Sequence, residues 1–161
     1  MRQQTYETAL QKCAALCARA EHSAFEIRKK LYTWKMSKAD IERIIAYLYS
    51  SDFLNDCRFA EAFINDKARF DGWGRIKIRF HLKQHGIASE VIDEAMEVID
   101  EEEYISNMQM MLQQKNKLLR EPDVHKRKQA LARFATSRGF ESSLFLPMLS
   151  EIMVKEKESE E

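Results

Sequence analysis

The sequence predicts an all-α protein: three tandem three-helix repeats forming an elongated, curved array. Three observations lead there. Only four glycines and two prolines occur among the 161 residues, too few for the turns of a sandwich or barrel. Apolar residues recur at steps of three and four, the spacing of one face of an α-helix. The pattern also repeats. With Ser23, Gly74 and Arg127 superposed, at offsets of 51 and 53 residues, apolar and turn positions coincide, as in stacked helical modules.

A first helix is expected over residues 5–20, with Ala9, Leu10, Cys13, Leu16 and Cys17 along one face. Ser23 and Glu26 form a capping box at the start of the second, each placed to satisfy a backbone N–H that the helix start leaves free. Phe25, Ile27 and Leu31 supply its apolar contacts. Ser37 and Asp40 repeat the box more weakly before a third helix striped by Ile41, Ile44, Ile45 and Leu48. Asp56 is the expected N-cap of a fourth, with Phe59, Ala60, Phe63 and Ile64 buried; Gly72-Trp73-Gly74 breaks it after Asp71. The fifth carries Ile76, Ile78 and Leu82 and stops at Gly86, because glycine enters the left-handed region without strain. Ser89 caps the sixth, with Ile92, Ala95, Met96 and Ile99.

The seventh covers about residues 102–119 and ends before Glu121-Pro122; the eighth stops at Gly139 and Ser142 caps the ninth. Pro147 is expected to kink that helix or delay its start. Residues 155–161 are too polar to pack and are expected to fray.

In the superposed repeats Ile27, Ile78 and Leu131 share a site, as do Met36, Ile87 and Phe140, then Ile41, Ile92 and Phe145, then Leu48, Ile99 and Ile152. The expected boundaries are 1–50, 51–101 and 102–155, with a disordered tail at 156–161. One unit of this size buries little surface alone, whereas stacked units share cores.

Lys and Arg number 26, as do Asp and Glu, so the net charge is zero. Residues 1–50 carry nine basic and five acidic residues, 51–104 seven and thirteen, and 105–161 ten and eight. Such a chain lacks the basic surplus of a bulk DNA binder. Three cysteines, Cys13, Cys17 and Cys57, do not frame a disulfide scaffold. There is no signal-peptide core at the start and no uncharged apolar run near the ~20 residues a bilayer requires. A reducing, cytoplasmic location is expected.

No phosphate-binding loop, nucleophile elbow or His-Glu-x-x-His occurs. The run Asp100 to Glu103 is a solvated series, not the pair of separated, buried carboxyls that acid–base catalysis needs. Cys13 with Cys17, and His81 with His85, stand four apart as two zinc ligands would. The cysteines lie on an apolar stripe, where free Cys is an ordinary small core residue, and His81 sits among cations. No enzyme activity, cofactor or metal is expected.

Asp56-Cys57-Arg58-Phe59-Ala60-Glu61-Ala62-Phe63 resembles the Asp-x-Arg-Phe-Ala-x-x-Phe stretch of the RecX family. Trp73-Gly74-Arg75-Ile76, Leu82 and His85-Gly86-Ile87 resemble its Gly-x-x-(Lys/Arg)-Ile-x-x-x-Leu-x-x-x-Gly-Ile pattern. Arg28-Lys29-Lys30-Leu31, Arg133-Phe134 and Arg138-Gly139-Phe140 are also similar to family sequence, and the likeness spans about residues 9–152. Trp73-Gly74 stands where members often have Gly-Pro, and Lys35 where a glycine usually follows the second helix. The resemblance implies a regulator of the RecA recombinase in DNA repair, recombination and the SOS response. Members are thought to lie in the groove of the RecA–DNA filament and hinder its growth and activity. A monomer with RecA and its DNA filament as partners is expected, with weak direct contact to DNA as a secondary possibility. The alternative is a stand-alone DNA-binding helical module, which each three-helix unit resembles in outline.

Two basic groups are the candidate partner-binding residues. In the middle repeat they are Lys67, Arg69, Arg75, Lys77, Arg79 and Lys83, with Trp73 at the entrance. Arg75, Arg79 and Lys83 follow at four-residue steps, so they share a helix side and suit phosphates or carboxylates; Trp73 suits packing or base stacking. In the last repeat they are Lys126, Arg127, Lys128, Arg133 and Arg138. The competing reading of both is a solvated helix face with a core tryptophan. Arg28, Lys29 and Lys30 point to different faces and are a weaker candidate. Reversing charge at Arg75 and Arg79 together is expected to weaken inhibition without unfolding the chain, since surface charge changes cost little stability.

Overall fold

The computed structural model describes residues 5–160. Among them are nine α-helices: α1 (Tyr6–Arg19), α2 (Ala24–Thr33), α3 (Lys38–Ser50), α4 (Asp56–Arg69), α5 (Arg75–Gln84), α6 (Ser89–Ala95), α7 (Glu101–Leu118), α8 (Val124–Ser137) and α9 (Ser142–Glu160). A short 3-10 turn, Met96–Val98, follows α6.

The helix starts follow from side chains that accept a free backbone N–H. Ser23 Oγ accepts from the Glu26 amide at 3.2 Å, Ser37 Oγ from Asp40 at 3.2 Å, Asp100 from Glu103 at 2.8 Å and Asp123 from Lys126 at 3.0 Å. Each such cap is worth about 1 kcal/mol. The Ser23 box closes on one side only, because the Glu26 carboxylate turns to His22 Nδ1 at 2.8 Å. Asp56 is not the cap of α4. Asn55 is, its Oδ1 accepting from the Arg58 amide at 2.9 Å, while Asp56 accepts from the Tyr49 hydroxyl at 2.7 Å. Ser89 and Ser142 are first helical residues, behind the carbonyls of Ala88 and Glu141.

The repeat is visible in how α2, α5 and α8 end. Lys35, Gly86 and Gly139 all adopt positive φ, at 59°, 76° and 87°. In each turn the next amide reaches back five residues: Met36 to the Leu31 carbonyl, Ile87 to Leu82 and Phe140 to Ala135, all at 3.1 Å. These are three Schellman closures at the offsets of the sequence repeat. Leu31, Leu82 and Ala135 are fully buried, and so are Ile27, Ile78 and Leu131. Of these three turn residues only Lys35 carries a side chain, and in the left-handed conformation that costs about 1–2 kcal/mol. Lys35→Gly is therefore expected to raise stability by up to about 1 kcal/mol, the gain being offset in part by the looser unfolded chain. Urea denaturation measures it.

The chain forms two compact units. One runs to Phe63 and adds His81–Ala95; the other comprises Ile64–Phe80 and the chain from Met96 onward. The division falls within α4 and α5. In the first unit Ala9, Cys13, Ile27, Leu31, Ile44, Ile45, Leu48 and Leu54 pack as a core. Arg58 there binds Glu21 at 2.8 Å and the Asp52 carbonyl at 2.7 Å. His85 Nδ1 lies 2.8 Å from the buried Ser23 hydroxyl, with its ring among Phe25, Phe59 and Phe63. Burial, before any charge, lowers the His85 pKa.

In the second unit Met108, Leu112, Leu131, Ala135, Phe140, Phe145 and Leu149 form the core. Here the backbone before α5 meets the turn after α8. The Gly74 amide donates to the Arg138 carbonyl at 2.6 Å and the Ile76 amide to the Gly139 carbonyl at 3.0 Å. A Cβ on Gly139 would stand 2.5 Å from the Lys77 amide nitrogen, and one on Gly74 2.5 Å from that of Phe140. Two glycines thus permit a contact no side chain would allow.

Three expectations need correction. Pro147 does not delay α9, which starts at Ser142 and passes through it. The proline leaves the Ser143 carbonyl without its usual donor, but Ser143 and Pro147 are both exposed, where water replaces the lost bond. The expected tail is helical as far as Glu160, anchored through Glu156. Ile76 is 57% exposed. It lies two residues from Ile78, on nearly the opposite side of α5.

Candidate partner-binding site

Eleven of the twelve candidate residues belong to the second unit; Lys83 belongs to the first and is exposed. Gly72, at φ 67°, turns the chain out of α4, and the Trp73 amide closes on the Lys67 carbonyl at 2.9 Å. This sets the half-buried Trp73 between two cations. Lys67 Nζ is 4.9 Å from its ring centroid and Lys77 Nζ 4.5 Å, both within cation–π range. Lys67 also binds Asp71 at 2.8 Å. The Lys67–Trp73–Lys77 cluster is the part of the predicted basic face that the structure brings together.

Arg75 does different work. Its guanidinium binds Glu141 at 2.8 Å, pairs with Glu101, and lies 4.0 Å above the Tyr104 ring centroid. The Tyr104 hydroxyl accepts from the Arg75 amide at 3.1 Å and donates to Glu141. Burial, then the bond to Glu141, raises the Tyr104 pKa. For Arg75 burial is the largest influence and works against the charge, but the bonds to Glu141 and Glu101 outweigh it and the pKa rises. Arg75 therefore ties α5 to α7 and to Glu141, the residue before α9. Reversing its charge strands two carboxylates and sets an anion against the Tyr104 ring, so the expectation of little cost in stability is corrected.

Arg69 sits 3.5 Å from Glu103. Arg138 donates to the Asp71 carbonyl at 3.1 Å. Lys128 Nζ donates to Ser150 Oγ at 3.2 Å. Arg79 is half-buried, and Lys126 and Arg133 are exposed. Arg127 pairs with Glu156 and donates to Asn116 Oδ1 at 3.0 Å; Asn116 also donates to Glu156. Burial would raise the Glu156 pKa, but Arg127 and Asn116 overcome it and hold the carboxyl below its ordinary range. A carboxyl lowered in the folded state adds stability that is full at neutral pH and lost as pH falls through the folded value. Glu156→Gln is thus expected to cost about 0.5–1 kcal/mol at pH 7, small because the pair is partly solvated, and to narrow the stability difference between neutral and acid pH. Thermal unfolding across the acid range checks both.

Sequence reasoning missed the exposed apolar side chains of this region, Phe70 at 82% and Phe80 at 58%. The α5 spacing held the signal, since Ile76 and Phe80 lie four apart and off the stripe of Ile78 and Leu82. It also missed Tyr104 and Glu141 as partners of Arg75, for which no local signal exists. The Cys13 thiol is pushed up to about 11 by burial and then by Cys17, which disfavours a metal-binding thiolate. Among the described residues no three His, Cys, Asp or Glu gather as a metal site requires, and no helix is long and apolar enough to cross a membrane.

Two family models match the chain: the first three-helix domain of RecX at residues 9–48 and the second at 55–96. A protein of Chlorobium phaeobacteroides (strain BS1) named Regulatory protein RecX is 33% identical over 137 residues, covering 85% of this chain and 88% of that one. One of the same name from Clostridium acetobutylicum is 35% identical over 131 residues, covering 79% of this chain and 60% of the relative. A crystal structure of regulatory protein RecX has a TM-score of 0.80 at 22% identity, covering 89% of this chain and 72% of that chain. RecX from Lactobacillus salivarius has a TM-score of 0.77 at 14% identity, covering 92% and 97%; these two show the fold.

Proposed function

Since the chain belongs to the RecX family of regulatory proteins, we propose that it binds the RecA recombinase and its DNA filament and inhibits recombination and ATP hydrolysis there. One observation carries this: identity extends over nearly the full length of a relative named as a regulatory protein. The relatives bear the names of regulators, and we assign this chain no catalytic step. It acts in the cytoplasm, where RecA works, and as a monomer organised as three helical repeats.

The second unit supplies the contacts. Lys77 beside Trp73, with the exposed Lys126 and Arg133, presents cations to acidic groups of the filament. Arg75 and Arg127 hold the scaffold beneath. Several weak contacts to neighbouring RecA subunits add through avidity. Direct binding to DNA is weak, because the net charge is zero and phosphate affinity scales with the cations engaged.

Co-sedimentation tests the binding step. RecA assembled on single-stranded DNA with a non-hydrolysable ATP analogue is expected to carry the chain into the pellet at physiological salt, and DNA without RecA to leave it in solution. Pelleting with DNA alone, abolished by raised salt, would instead favour the stand-alone DNA-binding module.

A further inference from the structure

An open groove in the first unit lies between α1 and the end of α2. Lys12, Ala15, Leu16 and Arg19 form its α1 side, and Lys30 and Trp34 its α2 side, around a volume of about 250 Å³. Steps of three and four put the first four on one face of α1, and Lys30 and Trp34 on one side of α2. Ala15, the half-buried Leu16 and the Trp34 ring make an apolar floor. Lys12, Arg19 and Lys30 are exposed around it, with Lys12 Nζ 5.5 Å from the Trp34 ring centroid.

Every polar side-chain group in this lining donates and none accepts, since lysine, arginine and the tryptophan indole carry only N–H donors. None of the three cations pairs with a carboxylate among the described residues, and the Trp34 indole N–H donates to no described residue. The nearby acids are held elsewhere. Glu26, one turn before Lys30, turns to His22 at 2.8 Å, and Glu21 binds Arg58 at 2.8 Å. Glu7 stands five residues before Lys12, off the face that Lys12 and Arg19 share. An occupant must therefore bring acceptors and negative charge. The floor selects further. It can take an aliphatic side chain, whereas a nucleobase would find no acceptor for its amino groups and a half-buried Trp34 ring with Lys12 above it.

We propose that this groove docks an acidic protein segment in which aspartate or glutamate flanks one aliphatic side chain. The aliphatic group rests on Leu16 and the Trp34 ring. Carboxylates on either side of it accept charge-assisted bonds from Lys12, Arg19 and Lys30, and one accepts from the Trp34 indole. Lys12 and Arg19 are seven residues apart, about 10 Å of helix, and three residues of an extended segment cover about the same length. The inference goes beyond the filament reading. It concerns the first unit, and it follows from the chemistry of the groove whether or not RecA supplies the segment.

The test uses the full ¹⁵N-labelled chain at low salt and three capped peptides: Glu-Asp-Leu-Asp-Glu, the same with alanine for leucine, and Gln-Asn-Leu-Asn-Gln. A short oligothymidylate is the nucleic-acid arm. The acidic leucine peptide is expected to give saturable shifts at the Trp34 indole N–H and at the α1 amides around Leu16. Trp73, the other tryptophan of the chain, lies in the second unit and should stay unshifted. The alanine peptide should bind at least about threefold more weakly and the amide peptide at least about fivefold, as a lost apolar contact and lost charge pairs imply. Lys12→Gln together with Lys30→Gln should weaken the first peptide by about fivefold. Both lysines are exposed, and Arg19→Gln, expected to act in the same direction, gives a second reading at the groove. Equal shifts at the two tryptophans, equal binding of the leucine and alanine peptides, or no saturable shift would overturn the assignment. So would tighter binding of the oligothymidylate at Trp34, which would make the groove a phosphate site. No RecA is present in this titration. Its failure would leave RecA binding standing, and a failure to pellet with RecA filaments would leave the groove and its occupant standing.

Discussion

Gly139→Ala is expected to lower stability by about 3–5 kcal/mol, the sum of left-handed backbone strain and overpacking. Gly139 lies at φ 87°, and its new methyl would stand 2.5 Å from the Lys77 amide nitrogen. Backbone cannot swing aside as a flexible side chain would, so the bond from the Ile76 amide to the Gly139 carbonyl must break or stretch. Gly86 is the control. It holds the same place in the preceding repeat at φ 76°, but an added Cβ there meets nothing within 4 Å. Gly86→Ala should cost only the conformational strain, about 1–2 kcal/mol. Urea unfolding of the two variants measures the difference. Equal losses would mean that the start of α5 does not rest on the turn after α8. Total stabilities of about 5–15 kcal/mol are usual, so Gly139→Ala approaches the limit of folding.

The second large effect is on function. Reversing charge at Lys77, Lys126 and Arg133 together is expected to raise the protein needed for half-inhibition of RecA at least about tenfold, as the loss of a few exposed charge contacts implies. Helix content by circular dichroism should be unchanged. None of the three holds the core, and Lys126 and Arg133 are exposed. Reversal at Lys155 and Lys157, near the end of α9, changes net charge by four where the triple variant changes it by six, and serves as the control. If both variants lose inhibition equally, bulk charge rather than this surface governs binding. Arg75→Ala, by contrast, should cost about 2 kcal/mol of stability by removing the guanidinium that binds Glu141 and Glu101 and covers the Tyr104 ring, and it is unsuited to probing the surface.

What the sequence made legible was whatever depends on neighbours in the chain. Ser23, Ser37 and the turn glycines act within a few residues, so their roles could be read directly. The superposition that paired Lys35 with Gly86 and Gly139 also marked where a non-glycine residue enters the left-handed region. Asn55 and Asp56 are both good caps side by side, and the choice between them depends on the Tyr49 hydroxyl that engages Asp56. Arg75 illustrates the larger limit. As a member of a four-residue series it reads as a surface cation, yet Glu141 lies 66 positions away and no periodicity connects them. Arg127 was misjudged in the same way, because Glu156 was assigned to a tail expected to be unstructured. A tail of alternating charge looks solvated until one carboxylate finds a half-buried guanidinium. Pro147 shows that a lost backbone donor is tolerated inside a helix when the freed carbonyl faces water.

The most direct measurement is DNA-dependent ATP hydrolysis by RecA from the same organism, with the chain titrated in at fixed RecA and DNA. Inhibition that is half-complete well below one chain per RecA monomer, weakened by charge reversal at Lys77, Lys126 and Arg133, is the expected result. Hydrolysis unchanged at equimolar chain would contradict a role on the filament and leave the family relationship as one of fold without that activity.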